Sequence, residues 1–260
     1  MQILLADAKI MVPAAKAAAS VSWRESDMTA PRYQAVANRL ALDMAAHDVA
    51  ELSSILSCSR SIAAENWKRY QQFVSAATLP ALFAYNGQAY KHLKATSLTP
   101  AELQYAQRHL YITTFLYGLL RPMDAVAPYR IAHNITLPST DGKALNRYWR
   151  DILTDHLIAE TKADDGILLH LSTEEYEQLF DWQRVCRELT VVHPYFHVRQ
   201  PDGGLKIQAV WAKACRGAML RYVLANRISL PSILQSFSYE GFLFNPHAGD
   251  DRHPHFVREM

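Results

Sequence analysis

Three stretches of the 260-residue chain carry side chains at spacings that could do chemistry. In the first, Lys213, Arg216 and Arg221 recur at intervals of three and five along a run with helical patterning, Ala212 to Arg227. Gly217 sits among them, where it costs a helix about 1 kcal/mol relative to alanine, and it signals close approach by another backbone or a ligand. A solvated helix face with a packing glycine is the competing reading. In the second stretch, Tyr117-Gly118-Leu119-Leu120-Arg121-Pro122-Met123-Asp124 leads into Pro128-Tyr129-Arg130. Rigid turns can aim guanidinium groups, which grip phosphate bidentately and stack on bases. A structural loop with Arg121 paired to Asp124 is the plainer alternative. The third stretch, residues 48–70, has two helical runs joined at Ser57-Cys58-Ser59, the proportions of a helix-hairpin-helix. Such units hold a DNA phosphate with hairpin amides and a basic side chain, which makes Ser59 and Arg60 contact candidates. The glycines usual in that hairpin are missing, and an ordinary helical hairpin also fits.

Other chemistries lack their signatures. There is no GxGxxG, GxxxxGK, HExxH or GxSxG, so neither a nucleotide cofactor nor a zincin or serine-hydrolase centre is expected. His247, His253 and His255 lie in a polar tail, residues 245–260, and read as surface histidines rather than a metal centre. Cys58, Cys186 and Cys215 are odd in number and widely spaced, which argues against a disulfide framework or a zinc knuckle and for buried cysteines in a reducing cytoplasm. One of them as a redox-sensing thiol stays open. The net charge is only +2, so any nucleic-acid surface must concentrate its cations in one region. No run approaches the roughly 20 apolar residues of a membrane span, and the opening Met1-Gln2-Ile3-Leu4-Leu5-Ala6-Asp7 has no basic leader region, so a cytoplasmic protein is expected.

The elements that must position these residues follow from periodicity and punctuation. Ile3-Leu4-Leu5 reads as a short buried strand, and residues 13–30 as loop. Helices are expected from Arg32 to Ala46, from Asp48 to Ser57 and from Arg60 to Ala76. Ala81 to Tyr85 is strand-like, broken by Asn86-Gly87. Thr99-Pro100-Ala101-Glu102 opens a helix with a capping box. A helix from Leu145 to Ala159 and a strand from Ile167 to Leu171 follow, and Ser172-Thr173-Glu174-Glu175 starts a helix with a second box. Thr190 to Arg199 and Leu205 to Trp211 flank Pro201-Asp202-Gly203-Gly204 as a hairpin, and Phe237 to Phe244 is the last strand. Helices and strands mix without regular βαβ alternation, so the expected class is α+β: a single domain over 1–260 with a central sheet region and several helices.

Several of these segments together resemble the YaaA-like peroxide-stress family. Leu116-Tyr117-Gly118-Leu119-Leu120-Arg121-Pro122-Met123-Asp124 with Pro128-Tyr129-Arg130 is similar to the family's long Leu-Tyr-Gly-x-Leu-Arg-Pro-Leu-Asp…Pro-Tyr-Arg hallmark. Ala8-Lys9, Tyr85-Asn86-Gly87-Gln88-Ala89-Tyr90, Leu145-Asn146-Arg147-Tyr148-Trp149, Ser172-Thr173-Glu174-Glu175-Tyr176, Ala212-Lys213-Ala214-Cys215-Arg216-Gly217-Ala218-Met219 and Glu240-Gly241-Phe242-Leu243-Phe244 resemble its other blocks, in the same order. The chain departs from the pattern at Ala6-Asp7, where Ser-Pro is usual, and at Ile10, Gln178 and Ala214-Cys215. Each departure is expected to remove polarity or positive charge from the site.

The resemblance implies a mixed fold with a positively charged cleft, DNA binding that includes duplex with little sequence specificity, and a role in limiting peroxide- and iron-driven DNA damage. Carried over by position, the cleft cations are Lys9, Lys91, Arg121, Arg130, Lys213, Arg216 and Arg221. Tyr90, Tyr117, Tyr129 and Tyr148 are the aromatic candidates, and Asn86, Ser172, Glu175, Gly217 and Glu240 complete the set. No cofactor, metal or membrane partner is implied. Two alternatives stay open. One is an enzyme acting on a phosphorylated or nucleotide-like small molecule in the same basic cleft, with Glu175 or Glu240 as acid or base; a deep closed pocket would favour it. The other is a non-catalytic regulator working through a protein partner.

Overall fold

The computed structural model describes residues 1–8, Met11 and 25–259. Lys9, Ile10 and most of the loop expected over 13–30 lie outside the described residues. Twelve strands occur among the described residues: β1 (Gln2–Ala6), β2 (Leu79–Pro80), β3 (Leu110–Thr114), β4 (Gly118–Leu120), β5 (Ala125–Val126), β6 (Ile167–Leu171), β7 (Thr190–Val192), β8 (Tyr195–Arg199), β9 (Leu205–Lys206), β10 (Ser238–Tyr239), β11 (Phe242–Gly249) and β12 (Pro254–Arg258). The longer helices are α1 (Gln34–Ala45), α2 (Val49–Ile55), α3 (Arg60–Gln71), α4 (Gln88–Leu93), α5 (Pro100–His109), α6 (Leu145–Asp164), α7 (Trp182–Glu188) and α8 (Ala209–Asn226). The class is α+β, as expected.

The first sheet has the order β4-β3-β1-β6-β7. β1 runs parallel to both β3 and β6, pairing Ile3 with Leu110 on one side and with Leu169 on the other. A central parallel strand is covered on both faces and must be apolar throughout, which is why Ile3, Leu4 and Leu5 are fully buried. β4 folds back antiparallel on the outer edge of β3. Gly118 takes a positive φ there, against the Trp149 ring, and the indole of Trp149 donates to the Phe115 carbonyl at 2.9 Å. The Met1 ammonium is tied to Asp164 and Asp165 at the end of α6, at 2.9 and 2.6 Å.

The second sheet, β10-β11-β12-β8-β9, is antiparallel except for the parallel pair β12 and β8. Phe196, Phe242 and Phe256 from its strands are buried in the same core cluster as the first sheet. α8 packs against α4, β6 and β8 and so bridges the two sheets.

Five expectations need correction. Ala81 to Ala84 forms a single helical turn, not a strand; a short apolar run fits either period, and the amides of Ala81 and Leu82 are taken by the Asp124 and Pro122 carbonyls. The box at Ser172–Glu175 does not form: Thr173 makes no side-chain cap and the helix is one turn, Glu174–Glu177. The run Thr190 to Arg199 is split between the two sheets at His193-Pro194, and its hairpin partner is only Leu205–Lys206, because Ile207 to Trp211 leads into α8. The tail after residue 245 is structured: β11 and β12 form a hairpin that buries Phe256. Of the cysteines only Cys215 is buried; Cys186 is exposed.

Candidate functional site

Passing from β1, the chain reaches β3 on one side of that strand and only later β6 on the other. Strand order reverses at β1, and the crevice outside the carboxyl ends of parallel strands at such a point is where open sheets take ligands. A cavity of about 610 Å³ lies there, inside the usual range for small-molecule sites. Asp7 and Ala8 enter it from the end of β1, and Thr173 to Tyr176 from the segment after β6. Asn86 to Tyr90 contribute the start of α4, Lys213 and Arg216 the first turns of α8, and His193, Tyr195 and Ile207 the far wall.

A tyrosine cluster holds the floor. Tyr129 donates to Asp7 Oδ2 at 2.6 Å and Tyr176 donates to Asp7 Oδ1. With its proton committed to Asp7, the Tyr129 oxygen accepts from Tyr85 at 2.9 Å. Tyr90 donates to the Ala6 carbonyl, also at 2.9 Å. Burial, reinforced by the Asp7 charge, raises the pKa of Tyr85, Tyr90, Tyr129 and Tyr176 well above the ordinary phenol value, so all four stay donors. Below them Ser172 is fully buried and hydrogen-bonds Thr113 at 3.2 Å.

The cationic wall depends on one glycine. A β-carbon on Gly217 would stand 1.9 Å from the Ala89 carbonyl oxygen, so only glycine lets α8 lie this close to α4. The expectation of a close backbone approach at Gly217 holds. Arg216, one residue earlier, is partly buried; its Nε is buried and has no hydrogen-bond partner among the described residues. Burial lowers its pKa, opposed mainly by Glu174. Lys213 is exposed at the mouth. Glu175 hydrogen-bonds His133 at 3.1 Å.

Behind the far wall, His170 Nε2 meets Glu177 Oε1 at 2.9 Å. His193 sits edge-on to His170, ring centroids 4.4 Å apart, and stacks on Tyr195 at 4.6 Å. Burial, with the charge of Arg216, pushes His170 down to about 3; burial, then His170 and Arg216, does the same to His193. Burial raises the Glu177 carboxyl.

Among the carried-over residues, the cavity gathers Asn86, Tyr90, Glu175, Lys213 and Arg216, with Tyr129, Ser172 and Gly217 in supporting positions. It does not gather the others. Arg121 lies at the opposite, amino edge of the sheet. Its guanidinium caps the Arg108 and Leu110 carbonyls, lies 3.5 Å over the Tyr111 ring and pairs with Glu160 at 3.3 Å. Asp124 accepts from the Arg121 amide, not from its guanidinium. Arg221 is held by Ser97 and Glu102. Tyr117 is a core residue, Tyr148 packs edge-on to Trp149, and Glu240 occupies a left-handed turn between β10 and β11. The Arg130 carbonyl accepts from Tyr70, and Lys91 is exposed on α4. Ser59 caps α3 by accepting from Ile62, and Arg60 is exposed beside it. Lys9 lies outside the described residues.

Sequence reasoning missed Asp7, Glu174, Tyr176, His193 and Tyr195 as cavity residues. The expectation that the Ala6-Asp7 departure removes polarity from the site fails at Asp7, which adds a carboxylate to the floor. An acid directly after a buried strand was the available signal.

The site therefore defines an α+β protein with a ligand-sized cavity of mixed charge at the carboxyl edge of a parallel sheet. A family model described as "Peroxide stress protein YaaA" matches residues 1–248. The chain is 40% identical over 262 residues to a UPF0246 protein of Bacteroides thetaiotaomicron, spanning 100% of this chain and 99% of that one. It is 44% identical to a UPF0246 protein of Phocaeicola vulgatus over 86% of this chain and 88% of that one. A UPF0246 protein of Legionella pneumophila is 32% identical over 81% and 83% of the two chains. The chain belongs to the YaaA peroxide stress protein family. No helix among the described residues is long and apolar enough to cross a membrane.

Proposed function

We propose that this peroxide stress protein acts by binding DNA, and that its affinity comes from a nucleotide seated in the cavity with phosphate on Lys213 and Arg216. The observation that supports this most is Arg216: a partly buried guanidinium on the cavity wall whose Nε lacks a partner among the described residues. A guanidinium presents a fork matched to phosphate oxygens, and a buried donor left unpaired costs about 1–3 kcal/mol until something satisfies it. A cavity of 610 Å³ takes one nucleotide rather than a duplex. The rest of the strand would run outside the mouth, past the exposed Lys91, Lys206 and Lys213. Readout through phosphates carries little sequence information. Protection would follow from covering the DNA.

The second reading is a free phosphorylated small molecule, with or without catalysis. The lining favours it in one respect: Asp7, Glu174 and Glu175 share the cavity with the two cations. Those carboxylates suit the hydroxyl or amino donors of a compact ligand and repel neighbouring phosphates of a polyanion. Competition separates the readings. Labelled single-stranded and duplex oligonucleotides are titrated with the protein, then challenged with adenosine monophosphate. DNA binding that a large excess of mononucleotide displaces supports DNA seated in the cavity, and DNA binding that resists it places the DNA elsewhere. Tight mononucleotide binding without DNA binding replaces it with the second.

A further inference from the structure

His170, Glu177 and His193 take no part in that reading, yet they converge. β6 supplies His170, the single turn after it supplies Glu177, and the step between β7 and β8 supplies His193. Each offers one ligand atom, and the three atoms all lie within 4.8 Å of one another. His193 is 7% exposed and His170 1%. His193 Nε2 is buried and has no hydrogen-bond partner among the described residues. Buried polar atoms are nearly always satisfied, so an orphan nitrogen on a ring packed edge-on against His170 marks a place for something else.

We propose that these three side chains form a binding site for a divalent transition-metal ion of the zinc, iron(II) or manganese class. Two imidazoles and one carboxylate make a mixed nitrogen and oxygen set that suits borderline cations and leaves coordination positions open. His193 also lines the main cavity. Ligand atoms about 2.0–2.2 Å from a tetrahedral ion stand roughly 3.5 Å apart. The widest separations therefore shorten by up to about 1 Å on binding while the 2.9 Å His170–Glu177 contact opens, shifts within reach of side-chain rotation at Glu177 and His193. Arg216 lines the same cavity as His193, and its positive charge disfavours a bare cation. The same guanidinium pairs with an anionic oxygen on the metal, so a bound hydroxide or phosphate completes the site. The inference does not depend on DNA binding.

The test uses the full chain, freed of metal by chelator and dialysed. Cobalt(II) is titrated while its visible d–d absorption is followed, and zinc(II) is titrated calorimetrically. One equivalent of either metal is expected to bind. His193→Gln and Glu177→Gln, near in size and checked for folding by circular dichroism, are expected to weaken binding by more than about tenfold, because even indirect partners of a metal are worth 10–100-fold. His247→Ala, on an exposed tail histidine, is expected to bind like wild type. Two results overturn the site: no stoichiometric metal on the wild-type chain, or His193→Gln and Glu177→Gln variants that fold and bind as tightly as wild type.

Discussion

The carbonyl oxygen of Ala89 occupies the position that a side chain on Gly217 would need, 1.9 Å from an added β-carbon. The obstacle is backbone, which cannot rotate away, so Gly217→Ala must separate α8 from α4. Overpacking of this kind typically costs about 1–3 kcal/mol, and the upper end is expected in urea unfolding. Ala89→Gly should not rescue it, since the carbonyl remains. Arg216 and Lys213 move with α8, so nucleotide affinity should fall with stability.

The Asp7 floor makes a second prediction. Tyr129→Phe removes a hydrogen bond to a carboxylate and the acceptor for Tyr85. Hydrogen bonds to charged groups contribute about 1.5–3 kcal/mol, and a loss of that order is expected. Tyr176→Phe acts on the same carboxylate, so the double variant should show non-additive loss in a double-mutant cycle.

The caps at Asp48 and Thr99, the central strand, the hairpin at Pro201–Gly204 and the glycine at 217 were legible because local chemistry decides them: Thr99 and Glu102 form their box as read. The cavity was legible only in part. Lys213 and Arg216 share one helix face, but whether Arg121 joins them depends on strand order, and no local signal reports that order. β4 runs back along β3 and carries Arg121 to the far edge, where a family motif and a binding site are different things. Asp7 and His193 were hidden for the same reason, since each is placed by a strand pairing made over a hundred residues away or by a second sheet. The only histidines weighed as a metal site from the sequence were those of the tail, read as surface residues, whereas the pair that converges with Glu177 is His170 and His193.

Arg121 thus separates a structural cation from a binding one. Arg121→Ala forfeits the carbonyl caps and the stacking on Tyr111 and is expected to cost about 2 kcal/mol in stability. It should leave DNA and nucleotide affinity within about twofold of wild type at temperatures where the variant is folded.

Acid sensitivity should trace partly to His156. Its ring is held between the Tyr33 and Tyr111 hydroxyls at 2.8 and 3.3 Å. Burial, then Arg32, lowers it to about 4. As pH falls below about 6.5 the unfolded chain takes up the proton and the folded chain does not. Stability is therefore full above that pH and declines toward pH 4. Thermal midpoints measured across this window should fall for wild type, and His156→Gln should flatten part of the slope.

The central claim is that Lys213 and Arg216 neutralise phosphate in the cavity. The direct test is fluorescence anisotropy of a labelled oligonucleotide in a salt titration, for wild type, Lys213→Gln and Lys213→Gln with Arg216→Gln. Counterion release makes affinity fall steeply with salt, with a log–log slope of about 0.7–0.9 per neutralised phosphate. Tight low-salt binding whose slope flattens by about one unit per lost cation is the predicted result. A wild-type slope that folded variants reproduce unchanged, or no binding by wild type at low salt, contradicts the account.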